Sequence, residues 1–182
     1  LKDEMQLEKE FFDDISFVKE EGKYISEEKF EIAGAIIINE ALVREIRDNK
    51  KTFTMPQFYG AMQSSHCQWY GIIQHFDIER KNYINLKNVV INSFITDKDF
   101  KVSALVHGTG GAGKSTTLRR LAIDLYENQL FHVIWVEDDG IIEFVEDGLN
   151  SINNEIKKDI TKKFLIIIED WCRMFNDKPD LA

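Results

Sequence analysis

A glycine-rich run in the middle of the chain has the residue types and spacing of a phosphate-binding loop. It reads Gly108-Thr109-Gly110-Gly111-Ala112-Gly113-Lys114-Ser115-Thr116 and matches the Walker A pattern G-x-x-x-x-G-K-[ST] at every fixed position. Such a loop needs glycines because it wraps a phosphate with inward-pointing N–H groups, which requires positive φ angles and no obstructing Cβ. Lys114 adds a charge for the β- and γ-phosphates, and Ser115 offers a hydroxyl to Mg²⁺. The run is therefore predicted to bind a nucleotide with Mg²⁺; ATP (or ADP) is the expected one, and GTP stays open.

An acidic pair after a run of aliphatic residues is the second chemical feature. The sequence Phe164-Leu165-Ile166-Ile167-Ile168 is followed by Glu169 and Asp170, as in a Walker B strand. A buried strand of this kind delivers carboxylates at its carboxyl edge, where one acid can hold Mg²⁺ through water and its neighbour can polarise the attacking water. Glu169 and Asp170 are therefore predicted to be the metal-binding and catalytic acids. Which of the two binds the metal stays open.

Short hydrophobic runs alternate with helical patterns around both motifs. Strands are predicted at 102–107, 131–136 and 164–168, with a helix over 114–128 and a helical or mixed stretch to about residue 158. This alternation is typical of a parallel sheet built from βαβ units, whose ligand crevice lies at the carboxyl ends of the strands. We therefore expect an α/β fold: a three-layered P-loop NTPase core with a parallel sheet that stops after the Walker B strand. The arginines Arg119 and Arg120 of the predicted helix are expected to face solvent or an adjoining domain.

The part of the chain before this core is predicted to be mainly helical. Apolar residues at three- and four-residue steps predict helices over 3–20, 26–48 and 80–97, the second with acids in its first turn after Ser26. Residues 51–77 are aromatic and polar around Pro56, which indicates an irregular connector. The expected organisation is a helical segment at 1–50, a connector and helix at 51–97, and a partial P-loop NTPase domain at 98–182. The absence of an initial Met and the stop soon after the last strand favour a fragment of a longer protein.

Composition and charge exclude several other classes of protein. Hydrophobic residues make up 43% and charged residues 30% of the sequence, which is the balance of a folded globular chain. The net charge of −9 disfavours nonspecific binding to nucleic acid or anionic lipid. The longest apolar runs fall far short of the roughly 18 residues that cross a bilayer, and the N-terminus does not resemble a signal peptide. Cys67 and Cys172 form no CxxC pair, so neither a zinc site nor a disulfide framework is indicated. We expect a cytoplasmic protein.

The spacing and order of these motifs resemble the additional-strand ATPases, which include the AAA+ and STAND proteins. Three upstream runs resemble the lead-in of bacterial STAND NTPases fused to effector domains such as sirtuin-like NADases: Phe58-Tyr59-Gly60, Trp69-Tyr70-Gly71-Ile72-Ile73 and Phe76-Asp77-Ile78-Glu79-Arg80. The run Gly113-Lys114-Ser115-Thr116-Thr117-Leu118-Arg119-Arg120-Leu121-Ala122 also resembles their P-loop helix. The resemblance covers about residues 58–175.

This resemblance implies a nucleotide-dependent regulatory switch in an antiviral defence protein. It implies effector and sensor domains in the same parent chain and a homo-oligomer on activation. The segment that bears Arg80 would pack beside the nucleotide, and Arg80 is therefore a candidate nucleotide-binding residue. In the family register Glu169 takes the metal position and Asp170 the position of the catalytic base, whereas a shift of one residue gives the metal to Asp170. ATP hydrolysis is expected of the complete protein, and this piece would bind nucleotide with or without turnover.

Two other functions remain open from the sequence. One is a nucleotide-binding scaffold without useful hydrolysis, which differs from the switch only in whether the intact protein hydrolyses ATP when triggered. The other is a small-molecule or nucleoside kinase, for which an arginine-rich lid after the second helix of the core is expected. Residues 137–160 are instead dominated by Glu and Asp, which disfavours the kinase.

Overall fold

The computed structural model describes residues 31–48, 52–60, 64–96, 103–129 and 131–169, with residues 93–96 described by their backbone alone. The predicted helix over 3–20 and the predicted acid Asp170 lie outside these ranges. In chain order the elements are β1 (Ile36–Ile38), α1 (Glu40–Asp48), α2 (Met55–Phe58), α3 (Ser65–Ile73), α4 (Tyr83–Thr96), α5 (Lys114–Glu127), β2 (His132–Val136), α6 (Ile141–Glu143), a π-helical turn (Phe144–Gly148), α7 (Leu149–Lys158) and β3 (Phe164–Ile168).

The described residues form one three-stranded mixed sheet in the order β1-β2-β3. Strand β2 pairs in parallel with β3, His132 lying opposite Phe164, whereas β1 runs antiparallel to β2, with Ile36 opposite Trp135. Four of the five residues of β2 are fully buried, as expected of a strand covered on both faces. The α/β class is thus confirmed and is compatible with a P-loop NTPase. The expectation of a wholly parallel sheet is wrong, because β1 joins it from the upstream part of the chain.

Strand β1 also corrects the predicted helix over 26–48. Three consecutive β-branched isoleucines favour an extended backbone, and Gly34, at a φ of 68°, turns the chain just before them. The helix begins only at α1, where the Oδ1 atom of Asn39 accepts a hydrogen bond of 2.9 Å from the backbone N–H of Leu42, as an N-cap does. The apolar residues that gave the helical spacing in the sequence therefore belong to two elements, the strand β1 and the separate helix α1.

The predicted irregular connector over 51–77 contains two helices. Pro56 lies in the first turn of α2, where its missing N–H does no harm. Helix α3 is capped by Ser64, whose Oγ accepts from the N–H of Cys67 at 3.2 Å. Six of the nine residues of α3 are buried: Cys67, Trp69, Tyr70, Gly71, Ile72 and Ile73. A helix that is apolar on most sides produces no helical period in the sequence, which explains why the connector prediction was wrong.

The strand predicted at 102–107 is not formed in the residues described. Residues 103–109 have no regular structure, and 77% of the Leu105 surface is exposed. The three strands of the described sheet pair only with one another, so this apolar run has no strand partner among them. An extended segment without a partner leaves its backbone groups to water and is not a strand.

The other predicted elements are confirmed. They are the helix at 80–97 as α4, the helix at 114–128 as α5, the strands at 131–136 and 164–168 as β2 and β3, and the helical stretch to residue 158. The domain division at residues 50 and 97 stays a prediction. Within the described ranges, no helix is both long and apolar enough to span a membrane.

The core lies where α3 and α5 cover β2. Trp69 of α3 and Trp135 of β2 meet edge to face, with ring centroids 5.1 Å apart, and Ala122 and Leu125 of α5 are fully buried. The part of helix α5 from Arg119 to Leu125 is thereby packed against the sheet. Because α5 begins at Lys114, this packing determines where the glycine-rich loop lies.

Candidate functional site: a phosphate-binding loop at the start of α5

The glycine-rich loop has the backbone that a phosphate-binding loop requires. Gly111 has a φ of 74° and Gly113 a φ of 75°, values that L-residues rarely adopt. Gly113 is the N-cap of α5, and its glycine replaces the side-chain cap found in most helices. A Cβ placed on Gly110 or Gly111 would meet nothing within 4 Å. The loop therefore has open space beside these two residues.

Lys114 is folded back over this loop. Its Nζ donates to the carbonyl oxygens of Gly108 and Thr109, both at 3.0 Å. Neutral carbonyls leave the charge of the ammonium uncompensated, so a phosphate oxygen is a stronger acceptor at the same position. The positive end of the α5 dipole and the free N–H groups of its first turn, with Ser115 and Thr116, lie at the same end of the helix. The chemistry of the loop suits a polyanion.

Arg80 lies against the loop. A Cβ on Gly113 would be 2.1 Å from Nη2 and 2.5 Å from Cζ of Arg80, so the guanidinium fills the space that the glycine leaves. Arg80 also lines a small cleft with Ile78 and Thr116. The structure thus brings Arg80 together with the predicted loop, and its role toward a nucleotide stays a prediction.

Helix α5 is tied to the segment that carries Arg80 by a buried set of charges. The guanidinium of Arg120 contacts both carboxylate oxygens of Asp77, with Nε to Oδ2 at 3.0 Å, and also donates to the carbonyl oxygen of Ile72. Burial alone would lower the pKa of Arg120, but the hydrogen bond and charge of Asp77 outweigh it and raise that pKa. Arg120 therefore does not face solvent; it faces Asp77, in the segment predicted as the connector and helix at 51–97.

Asp124, one turn further along α5, binds the start of α4 in the same way. It accepts from the hydroxyl of Tyr83 and from Nζ of Lys87 at 3.1 Å. Burial raises the pKa of Tyr83, and the hydrogen bond to Asp124 raises it further. Residues on both sides of Arg80 are thus fixed to the helix that begins at the glycine-rich loop.

Arg119 is the most buried charged residue near the site. Only 4% of its surface is exposed, and its Nη2 and Nη1 atoms lie 2.8 Å and 3.4 Å from the two carboxylate oxygens of Glu169. Its Cζ lies 4.6 Å from the ring centroid of Trp135 and 5.5 Å from that of Trp69. Of the two expected surroundings of Arg119, solvent or an adjoining domain, solvent is therefore excluded. The sequence did contain a signal: Arg119 shares a helix face with Ala122 and Ile123, and a charge on an apolar face needs a partner.

Glu169 stands at the carboxyl end of β3. Its backbone N–H donates to the carbonyl oxygen of Val136 at 2.9 Å, and its side chain reaches Arg119 on α5. Within the described ranges no three His, Cys, Asp or Glu side chains cluster as metal ligands. Mg²⁺ commonly takes only one or two carboxylates and retains several waters, so the donor chemistry of Ser115 and Glu169 suits this ion.

A larger cleft of about 260 Å³ lies elsewhere, between the Gly34 turn and the end of β2. Its charged lining consists of Glu137, Asp139 and Glu143. Acidic side chains repel phosphate, so this cleft does not compete with the glycine-rich loop as the nucleotide site.

Comparison with known families agrees with this geometry. The family model described as novel STAND NTPase 5 matches residues 62–181, more than half of the chain. The matched span includes Arg80, the glycine-rich loop and Glu169. No curated protein and no solved structure matches the chain. Because this match covers more than half of the chain, the chain belongs to the novel STAND NTPase 5 family.

Proposed function

We propose that the chain binds ATP (or ADP) with Mg²⁺ on residues 108–116 and serves as a nucleotide-dependent switch in a larger bacterial STAND-type defence protein. The observation that carries this proposal is the position of Lys114. Its ammonium is held by two neutral carbonyls, over a loop with two left-handed glycines, at the N-terminus of α5. Family membership supports an NTPase-type module in the same direction.

The proposed metal site combines Ser115 with the acids Glu169 and Asp170. Ser115 and one of the acids would hold Mg²⁺, which neutralises charge on the β- and γ-phosphates when it is bound. The other acid would orient the attacking water and accept its proton. We propose that hydrolysis belongs to the complete protein.

The contacts of α5 support a switch as opposed to a passive nucleotide store. Arg120 and Asp124 tie the helix to Asp77 and to Tyr83, on either side of Arg80. If nucleotide binding moves the start of α5, these contacts would transmit that movement to the segment that leads into the core. A switch requires that ATP favour one arrangement over another by roughly a few kcal/mol. We propose that effector and sensor domains of the parent chain and a homo-oligomer respond to that shift, in the cytoplasm.

Calorimetry with Mg²⁺ and ATP on the 182-residue chain tests the nucleotide site. Lys114→Ala is expected to abolish measurable binding while the melting temperature changes little, because the side chain is only half-buried and its ammonium contacts two loop carbonyls, outside the hydrophobic core. Lys157→Ala, which removes an exposed lysine of α7, is the matched control and should bind as the unchanged chain does. Equal ATP affinity in the two variants would refute the assignment of the loop as the nucleotide site.

The switch is tested separately in the parent protein. Light scattering and effector activity would be measured with ATP, with ADP and in the Lys114→Ala variant. The proposal expects assembly and effector output to differ among the three states. If the unchanged protein binds nucleotide but assembly and effector output are identical in the three states, the scaffold function is the better account. ATP turnover, measured in parallel, shows whether the bound nucleotide is hydrolysed.

A further inference from the structure

We propose that Arg119 is a positioning residue for the metal site: it holds the Glu169 carboxylate on the face of α5 that carries Ser115 and so determines how strongly nucleotide binding depends on Mg²⁺. This inference rests on the proposed function, with Glu169 as the acid that would face Mg²⁺. It assigns a role to a residue that the Walker patterns do not contain.

The contact between Arg119 and Glu169 fixes an orientation as well as a charge. Two guanidinium nitrogens meet two carboxylate oxygens, at 2.8 Å and 3.4 Å. A planar fork of this kind restricts the rotation of the carboxylate, which a single ammonium cannot do. Glu169 therefore presents its oxygens in one direction.

The guanidinium is itself held in place by aromatic rings. Trp135 and Trp69 lie on it at 4.6 Å and 5.5 Å from Cζ, and 5% of the Arg119 side chain is exposed. Its Nε atom is buried and has no acceptor among the residues described. The two rings fix the plane of the guanidinium. In the part of the chain that the structure describes, its hydrogen bonds go to Glu169.

The position of Arg119 on α5 connects this pair to the predicted metal ligand. Ser115 and Arg119 are four residues apart and so lie one above the other on one face of the helix, separated by about one turn, roughly 6 Å along the axis. Long side chains of a helix lean toward its N-terminus, which directs the head of Arg119 toward the turn of Ser115. Each carboxylate oxygen has two lone pairs, so Glu169 can accept from Arg119 and still accept from a water on Mg²⁺.

The test compares the ATP affinity of the chain over a titration of Mg²⁺ with its affinity in EDTA. Arg119→Met removes the fork and keeps most of the side-chain volume. Loss of a partner that orients a metal-ligating group typically weakens metal binding about 10- to 100-fold. We therefore expect the Mg²⁺ concentration that gives half of the increase in ATP affinity to rise by about 10- to 100-fold in Arg119→Met. The Mg²⁺ concentration that Arg119→Lys requires should lie between those of the unchanged chain and of Arg119→Met, because its ammonium supplies the charge without the fork. Affinity in EDTA, which reports the loop alone, should stay unchanged.

Controls separate positioning from folding. Glu169→Gln should raise the Mg²⁺ requirement by a similar factor, and the double variant Arg119→Met with Glu169→Gln should add little, because both changes interrupt one interaction. Arg119→Lys and Glu169→Gln keep a polar partner at each position and carry the test if the unpaired Glu169 of Arg119→Met prevents folding. Arg44→Met breaks the exposed pair with Glu40 on α1 and should leave the Mg²⁺ titration unchanged.

Three results would overturn the inference. A normal Mg²⁺ requirement in folded Arg119→Met and Arg119→Lys would make the pair purely structural. Tighter Mg²⁺ binding in those variants would show that Arg119 competes with the metal for Glu169. An unchanged chain that binds no ATP in EDTA or in Mg²⁺ would refute the proposed function itself, and the inference with it.

Discussion

Adding one methyl group at each of three loop glycines separates backbone strain from steric conflict. Gly110 has no positive φ and open space around it, Gly111 has a φ of 74° and the same open space, and Gly113 has a φ of 75° with Arg80 in the way. An L-residue in the left-handed region costs about 1–2 kcal/mol. Alanine should therefore leave stability unchanged at Gly110 and lower it by about 1–2 kcal/mol at Gly111 and Gly113. For a chain of this size that corresponds to a fall in melting temperature of about 2–8 °C.

The contact with Arg80 adds a second effect that only Gly113→Ala should show. The new Cβ would lie 2.1 Å from Nη2 of Arg80, and the flexible end of this side chain can move away. We therefore expect Arg80→Ala to have less effect on ATP affinity in the Gly113→Ala background than alone, because the guanidinium is already displaced. Thermal unfolding and calorimetry on the four single variants and on the double variant Gly113→Ala with Arg80→Ala measure both effects. A Gly110→Ala chain as unstable as Gly113→Ala, or fully additive affinities, would refute this reasoning.

Two further predictions concern acid sensitivity and packing outside the loop. Burial, with the charge of Lys162, lowers the pKa of His132, so below its usual value of about 6.5 the unfolded chain binds a proton that the folded chain resists, and stability falls. His132→Gln should therefore lose less melting temperature than the unchanged chain between about pH 7.5 and 5.5, and an equal loss would contradict this. Gly71→Ala would place a Cβ 2.0 Å from a ring carbon of Phe58 and should destabilise the chain by about 1–3 kcal/mol. Phe58→Leu in that background should recover part of the loss, as judged by denaturant unfolding, and no recovery would show that the strain lies elsewhere.

The features that could be predicted from the sequence are those encoded by neighbouring residues. The glycine spacing predicted a tight loop, and the left-handed backbone of Gly111 and Gly113 agrees with it. Strand β3 was evident because five consecutive apolar residues between charges allow few other structures. Phosphate binding by this loop was inferred from the motif and stays a proposal that the loop geometry supports.

The features that could not be predicted depend on residues distant in sequence. Asp77 and Arg120 are 43 positions apart, and Arg119 and Glu169 are 50 apart. Both arginines were expected to face solvent or an adjoining domain because these acidic partners lie far from them in the sequence. Charged residues can also be buried when they are paired with an opposite charge. The place of β1 in the sheet was missed for the same reason, since pairing with β2 is a tertiary contact that overrides local spacing.

The pairing of β1 with β2 has a consequence for how the chain is made. Ile36 faces Trp135, so the first strand of the sheet leaves the ribosome nearly a hundred residues before its partner. At about 5–20 residues per second, translation leaves the three isoleucines of β1 without that partner for roughly 5–20 s. Unpaired apolar strands favour aggregation. Helix α1, which follows β1 directly and buries Val43 and Ile46, is the nearest element that could shield this strand during synthesis.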